Sequence, residues 1–183
     1  MRVIGGTLGG RKLRSARGRR VRPTSSRARE ALFDILGSCQ GLRVLDLFAG
    51  SGALGIEALS RGADFAVFVD RSSRAIRMIR LNLSECGLDQ RSRVIQGEAN
   101  RLLRKLAASG ERFSLILIDP PYEKGLVKKA LRMISETGIL MPDSMVVTEH
   151  RASEPVEDLI ENLECFDQRR YGDTAITFWR TCR

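Results

Sequence analysis

The sequence predicts an α/β fold: a mostly parallel, doubly wound sheet closed by a C-terminal antiparallel hairpin. Three observations predict it. Short apolar runs alternate with helical stretches from Arg43 to Ser135. The first run, Val44–Phe48, passes at once through glycines into a helix. The last two β-prone segments face each other across Gly172-Asp173 with no helix between them.

Each element has its own signal. Residues 1–4 and 11–13 are β-prone and flank a glycine-rich turn, which suits a hairpin. Thr24 or Ser25 can cap a helix running to about Leu36, with Ala31, Leu32, Ile35 and Leu36 on its apolar face. Strand one is Val44–Phe48, followed by a helix over Ala53–Arg61. Strand two is Phe65–Asp70 and helix two Ser73–Cys86, with Ile76, Ile79 and Leu83 inward. Arg71, Arg74, Arg77 and Arg80 lie along that helix and read chiefly as a solvated face. Strand three is Arg93–Gln96, with a helix over Arg101–Ala108. Strand four, Ser114–Asp119, runs into Asp119-Pro120-Pro121-Tyr122, and a helix covers Val127–Ser135. Strand five is Ser144–His150, and Glu164–Tyr171 with Ala175–Thr181 make the closing hairpin. Phe178 and Trp179 are expected in the core.

Composition narrows the function. The chain has 183 residues, 43% hydrophobic and 29% charged, enough for one domain with a sizeable core. No apolar run approaches the roughly 20 residues that span a bilayer, and the basic N-terminus lacks the apolar stretch of a secretory signal. Cys39, Cys86, Cys165 and Cys182 are scattered, which argues against a zinc site or disulfide framework and suits a reducing cytoplasm. The single histidine, His150, ends an apolar strand and reads as structural. The formal net charge is +9. Residues 1–30 hold ten Lys or Arg against one acid, and the remainder carries 21 of each sign. All excess charge therefore sits at one end. That implies a basic N-terminal arm or hairpin over residues 1–23, ahead of a domain over 24–183, holding a polyanion such as nucleic acid. Candidate contacts are Arg11, Lys12, Arg17, Arg19, Arg20, Arg22, Arg27 and Arg29. Arg27 and Arg29 occupy the first turns of their helix, the unfavourable end for a cation.

The chemistry is concentrated after the strands. Gly50, Gly52 and Gly55 satisfy G-x-G-x-x-G, which alone fits a dinucleotide. Asp46, just before them, fits better a ligand carrying an ammonium and a sulfonium, S-adenosylmethionine (AdoMet), than a pyrophosphate. Asp70 ends strand two, where a carboxylate can accept from both ribose hydroxyls of either ligand. Glu98 follows strand three, near the expected adenine; a plain helix N-terminal acid is an equal reading. Asp119-Pro120-Pro121-Tyr122 discriminates. Two prolines make a rigid turn with outward carbonyls. Asp119 and the Pro120 carbonyl can accept the two N–H donors of an exocyclic base amine, and Tyr122 can stack on the base. A hydride enzyme has no evident use for such a turn.

Together, Asp46-Leu47-Phe48-Ala49-Gly50-Ser51-Gly52 and Asp119-Pro120-Pro121-Tyr122 resemble the motifs of class I AdoMet-dependent methyltransferases, Rossmann-like enzymes that act here on exocyclic amines. Arg22-Pro23-Thr24-Ser25-Ser26-Arg27-Ala28-Arg29-Glu30-Ala31-Leu32-Phe33, with residues 1–6 and 10–13, is similar to the RsmD family, which methylates N2 of a guanine in small-subunit ribosomal RNA. The resemblance implies a cofactor pocket shaped by Asp46, Phe48, Ala49, Gly50, Ser51 and Gly52, a ribose contact at Asp70, and an adenine contact at Glu98 and Ala99. It implies that Asp119, Pro120, Pro121 and Tyr122 receive the guanine amine. Gly97-Glu98-Ala99 departs from the family's usual Gly-Asp-Ala, and Asp70 stands where Glu is common. The expected partner is ribosomal RNA or the small subunit, with no metal and no membrane, and the protein a cytoplasmic monomer. A DNA amino-methyltransferase, an NAD(P)-dependent oxidoreductase and a non-catalytic RNA-binding protein are the competing readings.

Overall fold

The computed structural model describes residues 1–15, 23–121 and 125–182. Arg17, Arg19, Arg20, Arg22 and Tyr122, all named above, lie outside the described residues.

The alternation read from the sequence is present. The elements are α1 (Pro23–Leu36), β1 (Arg43–Leu47), α2 (Ala53–Ser60), β2 (Phe65–Asp70), α3 (Ser73–Cys86), β3 (Ser92–Gln96), α4 (Ala99–Ala108), β4 (Phe113–Ile118), α5 (Leu126–Thr137), β5 (Leu140–Arg151), β6 (Leu159–Ile160), β7 (Leu163–Tyr171) and β8 (Thr174–Thr181). One eight-stranded sheet has the order β3-β2-β1-β4-β5-β8-β7-β6. The first five are parallel to their neighbours. The last three join antiparallel.

Two departures have physical causes. Strand β5 starts at Leu140, four residues before the expected start. Met141-Pro142-Asp143 reads as a break, and the strand passes it through a register shift opposite Phe113 and Leu115, with Asp143 at φ 56°. Strand β6 has only two residues, too few to show alternation.

Period-2 alternation divides the core between the two faces of the sheet. Val44, Leu115 and Phe68 pack with α1, α2 and α3 against Phe33, Ile56, Ile79 and Phe178. Leu45, Leu47 and Ile116 pack with α4 and α5 against Leu103, Leu131 and Trp179. Phe178 and Trp179 are fully buried, as expected. The indole N–H of Trp179 donates to Thr148 Oγ1 at 3.0 Å. His150 is also buried and structural: Nδ1 lies 3.0 Å from the Arg151 carbonyl and Nε2 2.9 Å from Thr177 Oγ1. Burial holds its pKa below the usual value.

Residues 1–13 form a hairpin bridged at Arg2 and Lys12, and the segment is docked on the sheet-and-helix body. Val3 and Leu13 are 2% and 5% exposed and belong to the α1–α3 core. Gly6, at φ 74°, sits so close to α2 that a Cβ would fall 2.0 Å from the Ser60 carbonyl oxygen. Glu57 of α2 is buried and accepts from the Ile4 and Gly5 amides at 2.7 and 2.8 Å, and from Arg61 Nε at 2.9 Å.

The topology fixes where a ligand goes. The chain runs outward from β1 to β2 and β3, then returns to place β4 on the other side of β1. The carboxyl ends of β1 and β4 therefore meet at the point where the strand order reverses, and the crevice there is the ligand position of open α/β sheets.

Candidate active site

Three carboxylates stand at that edge. Asp46 is the fourth residue of β1 and shares the α2 side of the sheet with Val44. It is 1% exposed, and Oδ2 accepts from the Gly55 amide at 2.9 Å. Gly55 must be glycine for this contact. A Cβ there would meet Phe68 Cε1 at 2.4 Å and Asp46 Oδ2 at 3.1 Å. The Asp46 carboxyl is pushed up to about 8, first by burial. The Gly55 amide opposes the shift, while Asp119 and Asp70 add to it. The site is thus short of positive charge, and a cationic ligand would favour the ionised form of Asp46.

The loop between β1 and α2 is held by its own backbone. Phe48 has φ 62°, in the left-handed region that a bulky residue seldom adopts, and Gly50 and Gly52 follow at 58° and 79°. The Ala49 amide donates to the Val69 carbonyl at 3.0 Å. Gly50 donates to Asp70 Oδ2 at 2.9 Å, and Ser72 donates to Asp70 Oδ1 at 2.8 Å. Asp70 is therefore first a brace of the glycine loop. Each oxygen keeps a second acceptor direction for a ribose. Glu98 precedes α4, is exposed, and makes no capping bond, so its carboxylate is available to a ligand. Ala99 is buried at the start of α4.

Asp119 follows β4 directly and is exposed, whereas Pro120 is buried and Pro121 half-buried. The prolines anchor the turn and leave the carboxylate outward. Asp46 feels the charge of both Asp119 and Asp70, and β2 and β4 flank β1, so the three expected acids lie at the same end of three adjacent strands.

Two residues of this edge were not read from the sequence. Glu149, on β5 just past the pair Ile118–Thr148, is 7% exposed. Burial, then Asp119, pushes its carboxyl up to about 8, and Arg29 opposes the shift. The acid within the apolar stretch Met145–His150 was the available signal. Asn82 is a fully buried amide on α3. Its Nδ2 donates to the Ser51 carbonyl at 2.8 Å and the Arg14 carbonyl at 3.1 Å, and its Oδ1 accepts from the Arg14 amide at 2.8 Å.

Of the expected nucleic-acid contacts, Arg11, Lys12 and Arg27 are exposed. The guanidinium of Arg11 reaches the Glu85 carbonyl. Arg29 requires a correction. It is 6% exposed, and its Nη2 donates to the Arg2 carbonyl at 2.7 Å. Its side chain points into the joint between α1 and the N-terminal hairpin, so its first role is structural. Arg71, Arg74, Arg77 and Arg80 are exposed, as a solvated face requires. Among the described residues no group of His, Cys, Asp or Glu could hold a metal, and no helix is long and apolar enough to cross a membrane.

A parallel sheet with an antiparallel end, acids at its switch point and an Asp-Pro-Pro turn after β4 define a class I methyltransferase. Residues 1–180 match the family model described as conserved hypothetical protein 95, and the chain belongs to that family. It is 37% identical over 181 residues to YlbH of Bacillus subtilis, provisionally named an rRNA methyltransferase, covering 98% of both chains. It is 29% identical over 181 residues to ribosomal RNA small subunit methyltransferase D of Escherichia coli K12, covering 98% of this chain and 89% of that one. A solved Escherichia coli structure provisionally titled the methyltransferase yhhF aligns over 100% of this chain and 99% of its own, with TM-score 0.84 and 30% identity. A Thermus thermophilus protein titled hypothetical aligns over 97% of this chain and 98% of its own, with TM-score 0.82 and 32% identity. The family makes this chain an AdoMet-dependent methyltransferase, which removes the oxidoreductase reading of its glycine motif.

Proposed function

We propose that this protein transfers the methyl group of AdoMet to the exocyclic N2 amine of a guanosine in small-subunit ribosomal RNA, working in the cytoplasm as a monomer. The RNA substrate is supported by the names of the relatives and by the exposed basic residues of the N-terminal hairpin. The observation that carries the reaction is the parallel pairing of β1 with β4, Asp46 opposite Leu117 and Leu47 opposite Ile118, so that the glycine loop and the Asp119 turn leave the sheet side by side. It supports an amine acceptor on the same edge as an acid that favours a cation.

AdoMet supplies an electrophilic methyl on a sulfonium. Asp46, Asp70, Glu98 and the backbone of residues 48–52 would hold it. Asp46 ionises as a cation arrives beside it, because the opposite charge offsets its burial. Asp119 and the Pro120 carbonyl accept from the amine N–H groups and orient the nitrogen lone pair. A ring-conjugated amine is a weak nucleophile, so orientation and local acceptors provide most of the acceleration. The base is reached by flipping it from its stack. Tyr122 completes this pocket in the reading from sequence.

The test is methyl transfer by Asp119→Ala. Transfer is expected to fall by about 10²–10³-fold, with AdoMet affinity nearly unchanged. Full turnover by this variant would remove Asp119 from the reaction.

A further inference from the structure

A cleft of about 530 Å³ lies where the N-terminal hairpin meets α1. Arg2 and Lys12 line it from the hairpin, Ser26 and Arg29 from α1. Ser26 and Arg29 are three residues apart, so they are neighbours on one helix face. Three of these four side chains are cations, and among the described residues no acid lines the cleft. Val3 and Leu13 also line it and are buried in the core, which fixes the hairpin wall in place.

Arg29 marks this cleft as a ligand site. It is 6% exposed, yet its guanidinium is poorly paired. Nη2 donates to the Arg2 carbonyl at 2.7 Å. Nη1 lies 2.9 Å from the Met1 thioether, a weak acceptor. Nε is buried and has no hydrogen-bond partner. A guanidinium carries five N–H donors, and burying a cation without acceptors is costly. Burial is the main influence on Arg29 and lowers its pKa, while Glu57 and Glu149 oppose the shift. Neither acid is free to neutralise it. Glu57 is taken up by the Ile4 and Gly5 amides and by Arg61. Glu149, pushed up to about 8, is mostly protonated at pH 7. An anion with several oxygens would complete the set. Phosphate suits it, because a guanidinium fork can bond two of its oxygens and leave others for Lys12 and Ser26.

We propose that this cleft is a phosphate-binding site, and that it seats a backbone phosphate of the RNA whose base enters the Asp119 turn. The RNA half of this statement rests on the proposed function; the phosphate half does not. Arg29 and Asp119 both act on the Glu149 carboxyl, so the cleft and the catalytic turn lie within electrostatic reach of one buried group. A phosphate held in the cleft would fix the strand on that side of the sheet.

The experiment uses the full chain, isotope-labelled at arginine. The Arg29 Nε–H resonance is followed by NMR during titration with inorganic phosphate, with chloride at equal ionic strength as the reference. Protein-free small-subunit RNA is then added. Phosphate should shift the resonance to saturation and chloride should not. RNA should give the same shift and abolish the response to phosphate. Lys12→Ala, at an exposed position, should weaken phosphate about tenfold and lower the salt slope of RNA binding by about one. Lys105→Ala, exposed on α4 across the sheet, removes the same charge and should change neither. A resonance indifferent to phosphate overturns the site, and so does an equal loss in the two lysine variants. Saturable phosphate binding that RNA does not displace overturns the RNA half and assigns the cleft to free phosphate. Methyl transfer to RNA by a protein whose Arg29 ignores phosphate removes the cleft and leaves the proposed function standing.

Discussion

Asp46 makes the site's electrostatics measurable. Its carboxyl sits at about 8 in the ligand-free protein, against an ordinary 3.8. At pH 7 about nine-tenths of the molecules then carry it protonated. A cofactor bearing an ammonium and a sulfonium favours the ionised form, so binding expels close to one proton at pH 7 and less as pH approaches 8. Between pH 5.5 and 7.5, AdoMet affinity should rise about tenfold per pH unit. The assay is calorimetric titration with AdoMet in buffers of different ionisation enthalpy, which reports the protons released. Asp46→Asn keeps the shape and an acceptor for the Gly55 amide, and should remove both the proton release and the slope while weakening binding. Glu149 also sits at about 8, so Glu149→Gln serves as the control and should retain the Asp46 slope. A wild type that releases no proton and binds AdoMet equally across this range would refute the reasoning.

The same shift has a consequence for stability. The folded-state value lies above the unfolded one, so the native state holds a proton that the unfolded chain has released. Asp46 therefore contributes stability that is complete below about pH 4 and declines by roughly 1.4 kcal/mol per pH unit until about pH 8. Chemical denaturation of the ligand-free protein should show Asp46→Asn gaining on the wild type as pH rises across that window. Gly55→Ala should cost about 1–3 kcal/mol by overpacking against Phe68, and weaken AdoMet binding by disturbing the Asp46 contact; equal stability and affinity would show that the ring yields freely. Glu57→Ala leaves the Ile4 and Gly5 amides without their acceptor, while Arg61 keeps the Phe33 carbonyl and Asp34, so a loss of about 1–3 kcal/mol in urea unfolding is expected, with faster exchange at both amides. Charge reversal at Arg11 and Lys12 should weaken RNA binding and flatten its salt dependence. An unchanged slope would put the RNA elsewhere. Substitution is the right tool there, because Val3 and Leu13 belong to the core and deleting the segment would disrupt it.

The parallel part of the fold was legible because its signals are local. An apolar run such as Leu115–Ile118 can be buried only on both faces, and Ser73–Cys86 carries a helical period with Gly87 ending it in the left-handed conformation. The positions of Asp46, Asp70 and Asp119 followed from their place at strand ends. What stayed hidden depends on contacts between distant segments. Nothing in residues 1–13 announces that Glu57 waits for the Ile4 and Gly5 amides, and nothing in α3 marks Asn82 as more than a polar residue on a helix. Arg29 shows the converse. Its charge suggested an exposed contact, yet hydrogen bonding to the Arg2 carbonyl allows a guanidinium to be buried. Asp70 combined both cases, since its position pointed to a ligand and its geometry added a brace for the loop.

The most direct measurement is transfer of labelled methyl from AdoMet to small-subunit RNA or subunits lacking modification, followed by nucleoside analysis. Label in N2-methylguanosine, abolished by Asp119→Ala, is the predicted result. Label in another nucleoside would contradict the guanine N2 assignment, and bound AdoMet with no transfer to any RNA would contradict the substrate itself.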